Sequence, residues 1–147
     1  MHQSKLLVTF AVLAIAACTT APKQTGTSPT ALENQLVEAL LAAAERESHI
    51  SKVLLAPDLP PGIKSAVEGK RPAVAASSGE IAGLAKGHLL VQSATFGQSQ
   101  ATISARLGPI PRPRPNVALL ACGTGLTVTF NLVGGQWQQG DLQTLDC

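Results

Sequence analysis

Apolar residues recur every three or four positions over much of the first half of the chain, which is the spacing of one face of an α-helix. The members of this stripe are Leu32, Leu36, Leu40, Ala43, Ile50 and Leu54. Thr30 and Glu33 match a capping box at its start. A cluster of prolines after residue 56 ends the helix, and we expect a bend near Ser48 and His49, because Glu47 interrupts the stripe.

Alternation of apolar and polar residues in the second half predicts two β-hairpins. Residues 101–107 alternate and have residues 88–95 as a partner strand, and residues 124–132 alternate before a Gly-Gly pair. That pair is a favoured two-residue turn, from which residue 136 onward returns. Between helix and hairpins, small residues and glycines at 57–87 permit one short helix and a short strand near 73–76. We therefore predict an α+β fold, with the helix packed on an antiparallel sheet of about four strands.

Two cysteines flank the second hairpin. Counting outward from the turn, Cys122 falls directly opposite Cys147, in a pair whose Cα atoms are close enough for a disulfide. Such a bond would stabilise the domain by about 3 kcal/mol. The sharper alternatives are a catalytic thiol and a metal pair, but the chain has no CxxC motif and no histidine near either cysteine.

The first 17 residues have the layout of a secretory signal peptide. Residues 6–17 are apolar except for Thr9, and they follow Lys5 with no acidic residue before it. As a helix they would span about 18 Å, which is too short for a hydrocarbon core of about 30 Å. We therefore expect this segment to be removed from the mature protein.

The end of this segment, from Ile15 to Cys18, resembles the lipobox of bacterial lipoproteins. The resemblance implies that Cys18 becomes the mature N-terminus and carries acyl chains, and two or three chains anchor a protein almost permanently. Thr19 in the next position favours the outer membrane, with the protein facing the periplasm. Residues 18–28 then form a flexible tether and residues 29–147 a single domain. The alternative is a plain signal peptide that leaves an unmodified cysteine.

Composition restricts the partners of the mature chain. Removal of residues 1–17 takes away Lys5 alone among the charged residues and leaves a net charge of +1. This balance gives no electrostatic reason to expect nucleic acid. The only aromatic residues left are Phe96, Phe130 and Trp137, too few for a platform that stacks bases or sugars.

The sequence shows little that suggests catalysis. Glu45 and His49 are spaced to share a metal ion on a helix, but no third ligand follows from spacing, and a solvated pair is the simpler interpretation. His88 opens a strand beside Gly87, and the acids Asp58, Asp141 and Asp146 are not paired for acid–base work. No nucleotide, hydrolase or zinc-protease motif is present, so we expect no enzyme activity and no cofactor.

The order of lipobox, tether, helix and two hairpins, with a late cysteine pair, resembles the β-type pilotins of type II secretion. The segment GLTVTFNLVGGQWQQGDLQTLDC, residues 125–147, carries this resemblance as a closed terminal hairpin. It implies a small lipoprotein that binds a protein partner in the envelope and assists its assembly. The chain differs from the pilotins in the run GPIPRPRP, residues 108–115, which stands where a helix is expected between the hairpins.

Two other functions fit the same sequence. The ending VTFNLVGGQWQQGDL, residues 128–142, is also similar to the last hairpin of NTF2-like or cystatin-like domains, which implies a small-ligand cavity. A rigid loop at 108–115 would instead suit an inhibitor of an envelope hydrolase. A cavity of roughly 300 Å³ or more with converging polar groups would favour ligand binding.

Overall fold

The computed structural model describes residues 29–110 and 123–146. Within these ranges the elements are α1 (Ala31–Glu47), β1 (Lys52–Leu55), α2 (Pro61–Lys70), β2 (Ala73–Ala75), α3 (Ser78–Ala82), β3 (His88–Phe96), β4 (Gln100–Leu107), β5 (Thr124–Val133) and β6 (Gln136–Leu145). The predicted signal peptide, Cys18 and the tether lie outside the described residues.

The six strands form one mixed sheet in the order β2-β1-β3-β4-β5-β6. β1 pairs in parallel with both β2 and β3, and the remaining neighbours are antiparallel. The α+β class is therefore correct, but the prediction of about four antiparallel strands is wrong. The two additional strands, β1 and β2, come from the segment before the first hairpin.

The sequence pattern did not predict β1, because the apolar residues of this strand continue the helical stripe of α1. The helix ends at Glu47, where Ser48 adopts extended backbone angles and donates its N–H to the carbonyl of Ala44. Val53 and Leu54 are both buried, although successive residues of a strand point to opposite faces. Burial on both faces is typical of a parallel strand inside a sheet, and its continuous apolar run has no strand-like alternation to reveal it.

The start of α1 is as predicted. Thr30 Oγ1 accepts the backbone N–H of Glu33 at 3.2 Å, and the Glu33 carboxylate accepts the backbone N–H of Thr30 at 2.6 Å. The bend expected near Ser48 and His49 is the end of the helix. The short helix and short strand permitted between residues 57 and 87 are present as α2 and β2, whereas α3 was not predicted.

Both predicted hairpins are confirmed. β3 pairs with β4 and β5 pairs with β6, each pair being antiparallel and closed by a short turn. On β4 the alternate residues Ala101, Ile103, Ala105 and Leu107 are buried, which places one face of the strand in the core. Gly134 and Gly135 have φ angles of +59° and +79°, as a two-residue turn with both central residues left-handed requires.

The register that led to the disulfide prediction is wrong at the open end of the second hairpin. Near the turn the pairing follows the expected register as far as Phe130 opposite Gln139, but Val128 then pairs with Leu142. Two residues of β6, Gly140 and Asp141, therefore face one residue of β5, which is a β-bulge. The bulge shifts every described pair beyond it by one residue, so the count outward from the turn that placed Cys122 opposite Cys147 does not hold. Both cysteines lie outside the described residues.

Two helices cover one face of the sheet. α1 and α2 pack against each other and enclose the main core with the inward residues of β1, β3, β4 and β5. A helix with its side chains is about 10 Å wide and strands are about 4.8 Å apart, so two helices cover about four strands. A smaller cluster lies on the opposite face and consists of Leu54, Leu84, Leu90 and Ile110.

An ion pair fastens α3 to the sheet. Lys52 Nζ donates to Glu80 Oε1 at 2.8 Å, and Glu80 also accepts the backbone N–H of Ser77 in a second capping box. The hydrogen bond from Lys52, and next the bonds from Ser77, lower the pKa of the Glu80 carboxyl to about 2. No residue of α3 is buried, so the ion pair with Lys52 is the side-chain contact that links this helix to β1.

We expect this attachment to make stability depend on pH in the acid range. Because the pKa of Glu80 is about 2 in the folded protein and 4.5 ordinarily, its contribution is complete above pH 4.5, declines below it and is gone below about pH 2. Thermal unfolding of the wild type and Glu80→Gln should therefore differ most above pH 4.5 and converge towards pH 2. Lys52→Met, which removes the largest cause of the shift, should show the same convergence. A difference that is constant over this range would contradict the role of the pair.

Candidate protein-interaction surface

β6 forms one edge of the sheet, and it lacks most of the features that protect edges from pairing. It is ten residues long, contains no lysine, arginine or proline, and pairs within the described chain with β5 alone. Natural edge strands are usually very short or carry lysine or proline. The opposite edge, β2, has three residues and follows directly on Lys70, Arg71 and Pro72. The two edges thus differ sharply in how open they are to another strand.

The backbone of β6 near the turn is oriented to accept a further strand. The N–H of Leu132 donates to the carbonyl of Ser99 at 2.8 Å, towards the β4 side of the sheet and away from β6. Leu132 and Trp137 are therefore a non-hydrogen-bonded pair, and by alternation so are Phe130 and Gln139. In such pairs the N–H and C=O groups point outward from both strands. The outer edge consequently presents the backbone groups of Trp137 and Gln139.

A groove runs between α1 and the helix-facing side of β6. We call it the α1–β6 groove and define it by Ala39 and Ala42 on α1, Phe130 on β5 and Gln139 on β6. Its two adjoining hollows have volumes of about 520 and 330 Å³. Because Ala39 and Ala42 have small side chains, α1 leaves the groove open on its side. Phe130 supplies an apolar floor.

Charged and polar residues lie along the α1 side of this groove. Glu45 and Arg46 border the larger hollow, while Gln35 and Glu38 border the smaller one. Glu45 pairs with Arg71, the residue that follows the last turn of α2, which directs its carboxylate towards the neighbouring helix. An extended segment lying on β6 would meet apolar surface at the floor and polar groups along α1.

The structure does not bring together the metal ligands considered from the sequence. His49 lies beyond the end of α1, so it is not one helical turn from Glu45, and it is exposed. Glu45 is engaged with Arg71. Among residues 29–110 and 123–146, no three His, Cys, Asp or Glu side chains are grouped to hold a metal ion.

His88 is half-buried at the start of β3, opposite Lys52 of β1. It borders a hollow of about 350 Å³ together with Glu80, Leu84 and Ile110. Ile110 is held there by backbone hydrogen bonds with Leu84 at 2.7 and 2.9 Å. The rest of the proline run, residues 111–115, lies outside the described residues, and so does Cys18.

The hollows differ from the enclosed cavity expected of a small-ligand protein. In the part of the chain that the structure describes, no polar or charged residue is buried. A ligand pocket uses a few buried polar groups to orient its ligand. The described hollows are open grooves at the surface.

This surface was not predicted because β1 was not recognised as a strand and the short helix α2 was not placed over the sheet. Only with α2 over one half of the sheet does α1 lie over β4 and β5, which leaves the inner face of β6 open. One signal was available, since residues 136–145 lack lysine, arginine and proline. That composition is unusual for a long terminal strand whose outer edge is free.

Comparison with models of protein families, with curated proteins and with solved structures gives no match to this chain. Within residues 29–110 and 123–146, no helix has the length and apolar character needed to cross a membrane.

Proposed function

We propose that this protein is a lipid-anchored interaction protein of the cell envelope that binds an extended segment of a partner protein as an additional strand on β6. Its role would be that of an accessory or assembly factor, comparable to the pilotins. The location would be the periplasmic face of the outer membrane, with Cys18 as the acylated residue. We expect neither enzyme activity nor a cofactor.

The single observation that carries this proposal is the exposed edge of β6. An added strand gains affinity from main-chain hydrogen bonds and specificity from pockets for its alternate side chains. The outward backbone groups of Trp137 and Gln139 supply the main-chain hydrogen bonds. The α1–β6 groove, with Phe130 at its floor, supplies the pockets for side chains.

The architecture also marks a difference from the pilotin resemblance. That resemblance implied a helix followed by two hairpins. In this chain a parallel unit of β1, α2 and β2 lies between the helix α1 and the first hairpin. The proposal therefore does not depend on a shared fold. It depends on the edge, the groove and the lipobox resemblance at Cys18.

Site-specific photo-cross-linking in intact cells tests this proposal. A photoreactive residue is placed at Gln138 or Gln143 of β6, and at Val74 of β2 as the matched position on the opposite edge. All three positions are exposed, so accessibility alone does not separate them. We expect one discrete adduct of higher mass from the β6 positions and none from Val74.

Equal adducts from both edges, or none from β6 in cells that contain the protein, would contradict strand addition. An adduct of twice the chain mass would identify a second copy of this chain as the occupant and would also refute a separate partner. Mass spectrometry of the same samples reports independently whether Cys18 is acylated.

A further inference from the structure

The direction of the chain places the start of the domain at one particular end of the sheet. α1 ends only a few residues before β1 begins, so helix and strand run in opposite directions along the domain. β1, β3 and β5 run in the same direction, because β1 and β3 are parallel and two antiparallel steps separate β3 from β5. The N-terminus of α1 therefore lies at the end of the sheet where β3 and β5 finish.

That end carries a group of apolar side chains that the fold leaves uncovered. Phe96 is 44% exposed, Leu132 38% and Val133 52%, and Trp137 is half-buried opposite Leu132. We call these four residues the apolar tip. The turn between β3 and β4 is joined to the end of β5 by the hydrogen bond that the N–H of Leu132 donates to the carbonyl of Ser99.

The strands and turns that build this end are also free of charge. Residues 89–105 and 123–140 contain no aspartate, glutamate, lysine or arginine. The polar residues around the turns are glutamine, asparagine and serine. Tryptophan is enriched where membrane proteins meet the boundary between lipid and water.

The chain enters the domain at this same end. Pro29 is the first described residue, and Cys18 precedes it by eleven positions. A flexible segment of that length spans roughly 20 Å. α1 alone is about 25 Å long, so a bilayer anchor at Cys18 would lie nearer to the apolar tip than to the opposite end of the sheet.

We propose that the apolar tip contacts the surface of the lipid bilayer. This inference rests on the anchored location given under the proposed function. The partner is the bilayer rather than another protein, because the start of the domain, the apolar tip and the uncharged strands occupy the same end of the sheet. The contact fixes the orientation of the domain and directs β6 away from the membrane along its length.

Trp137 is the only tryptophan of the chain and lies within the apolar tip, so its fluorescence reports this contact directly. The mature protein is purified from envelopes and reconstituted in vesicles of phosphatidylcholine, with and without phosphatidylglycerol. We expect the emission of Trp137 to move to shorter wavelength and to be quenched by lipids brominated close to the headgroup. Since the tip is uncharged, phosphatidylglycerol should change the quenching little.

Two sets of variants keep Trp137 as the reporter. Phe96→Gln combined with Leu132→Gln should reduce the quenching, whereas Val74→Gln, at a position on β2 that is at least as exposed, should leave it unchanged. Acylated, vesicle-bound protein whose Trp137 is not quenched would overturn the tip contact and leave the β6 proposal standing. If unacylated protein were the sole native species, the tip contact would be overturned as well, because the lipid anchor on which it depends would be absent.

Discussion

Phe130→Ala should lower the free energy of unfolding by about 4 kcal/mol, the typical cost of removing a buried aromatic ring. The side chain is only 6% exposed and packs in the main core beneath α1. It also forms the floor of the α1–β6 groove, so its loss should weaken both the fold and the binding surface. Urea denaturation followed by circular dichroism measures the change.

Phe96 provides a matched control in the same row of the sheet. Phe96 and Phe130 lie opposite the same residue, Ala101, from its two sides, but Phe96 is at the exposed tip. Phe96→Ala should therefore cost less than about 1 kcal/mol. Phe130→Leu, which keeps most of the volume, should cost less than about 1.5 kcal/mol. Equal costs for the two alanine variants would show that the core is not arranged as described.

Gln139→Pro should reduce the β6 cross-link at least about tenfold, because it removes an outward N–H that an added strand requires. The N–H of Gln139 points away from β5, so the pairing within the hairpin is retained. Proline is accepted on edge strands and next to bulges. The yield of the adduct from Gln138, on the same side of the bulge, measures the effect in cells.

Gln139→Ala is the matched variant, since it removes the same side chain and keeps the backbone N–H. Its cross-link should stay close to that of the wild type. If both substitutions abolish the adduct, the side chain rather than the backbone forms the contact, and strand addition is refuted. Thermal unfolding of both proteins shows whether the proline has disturbed the hairpin itself.

Local patterns predicted the elements whose residues interact with near neighbours in the chain. The capping box of Thr30 and Glu33 lies within four residues, and the second hairpin is set by its Gly-Gly turn. Alternation on β4 gave its buried face correctly because one side of that strand meets the core and the other meets solvent. These features depend on local geometry and on a single buried face.

Long-range pairing was the part that the sequence did not reveal. β1 pairs with β2 and β3 across intervening segments, and its residues are apolar on both faces, so neither turn nor alternation marks it. The register behind the disulfide prediction was wrong for a related reason, since one additional residue at Gly140 and Asp141 changed every described pair beyond it. A bulge of this kind has no signature stronger than a glycine in a strand.

The candidate surface was predictable only in part. The sequence predicted β6 and the lipobox resemblance at Cys18, but the groove exists because α1 and α2 together cover the other strands. The anchor, the tether and the cysteine pair lie outside the described residues, so they stay predictions.

The irregularity at Gly140 and Asp141 has a consequence for any strand that joins β6. Displacing a paired strand by one residue turns each of its side chains to the opposite face of the sheet. Because β6 bends and changes its spacing midway, a guest segment finds a regular ladder on either side of this point but not across it. The irregularity would therefore fix the register of a short added strand, because such a strand could pair in one alignment only and could not slide along the edge.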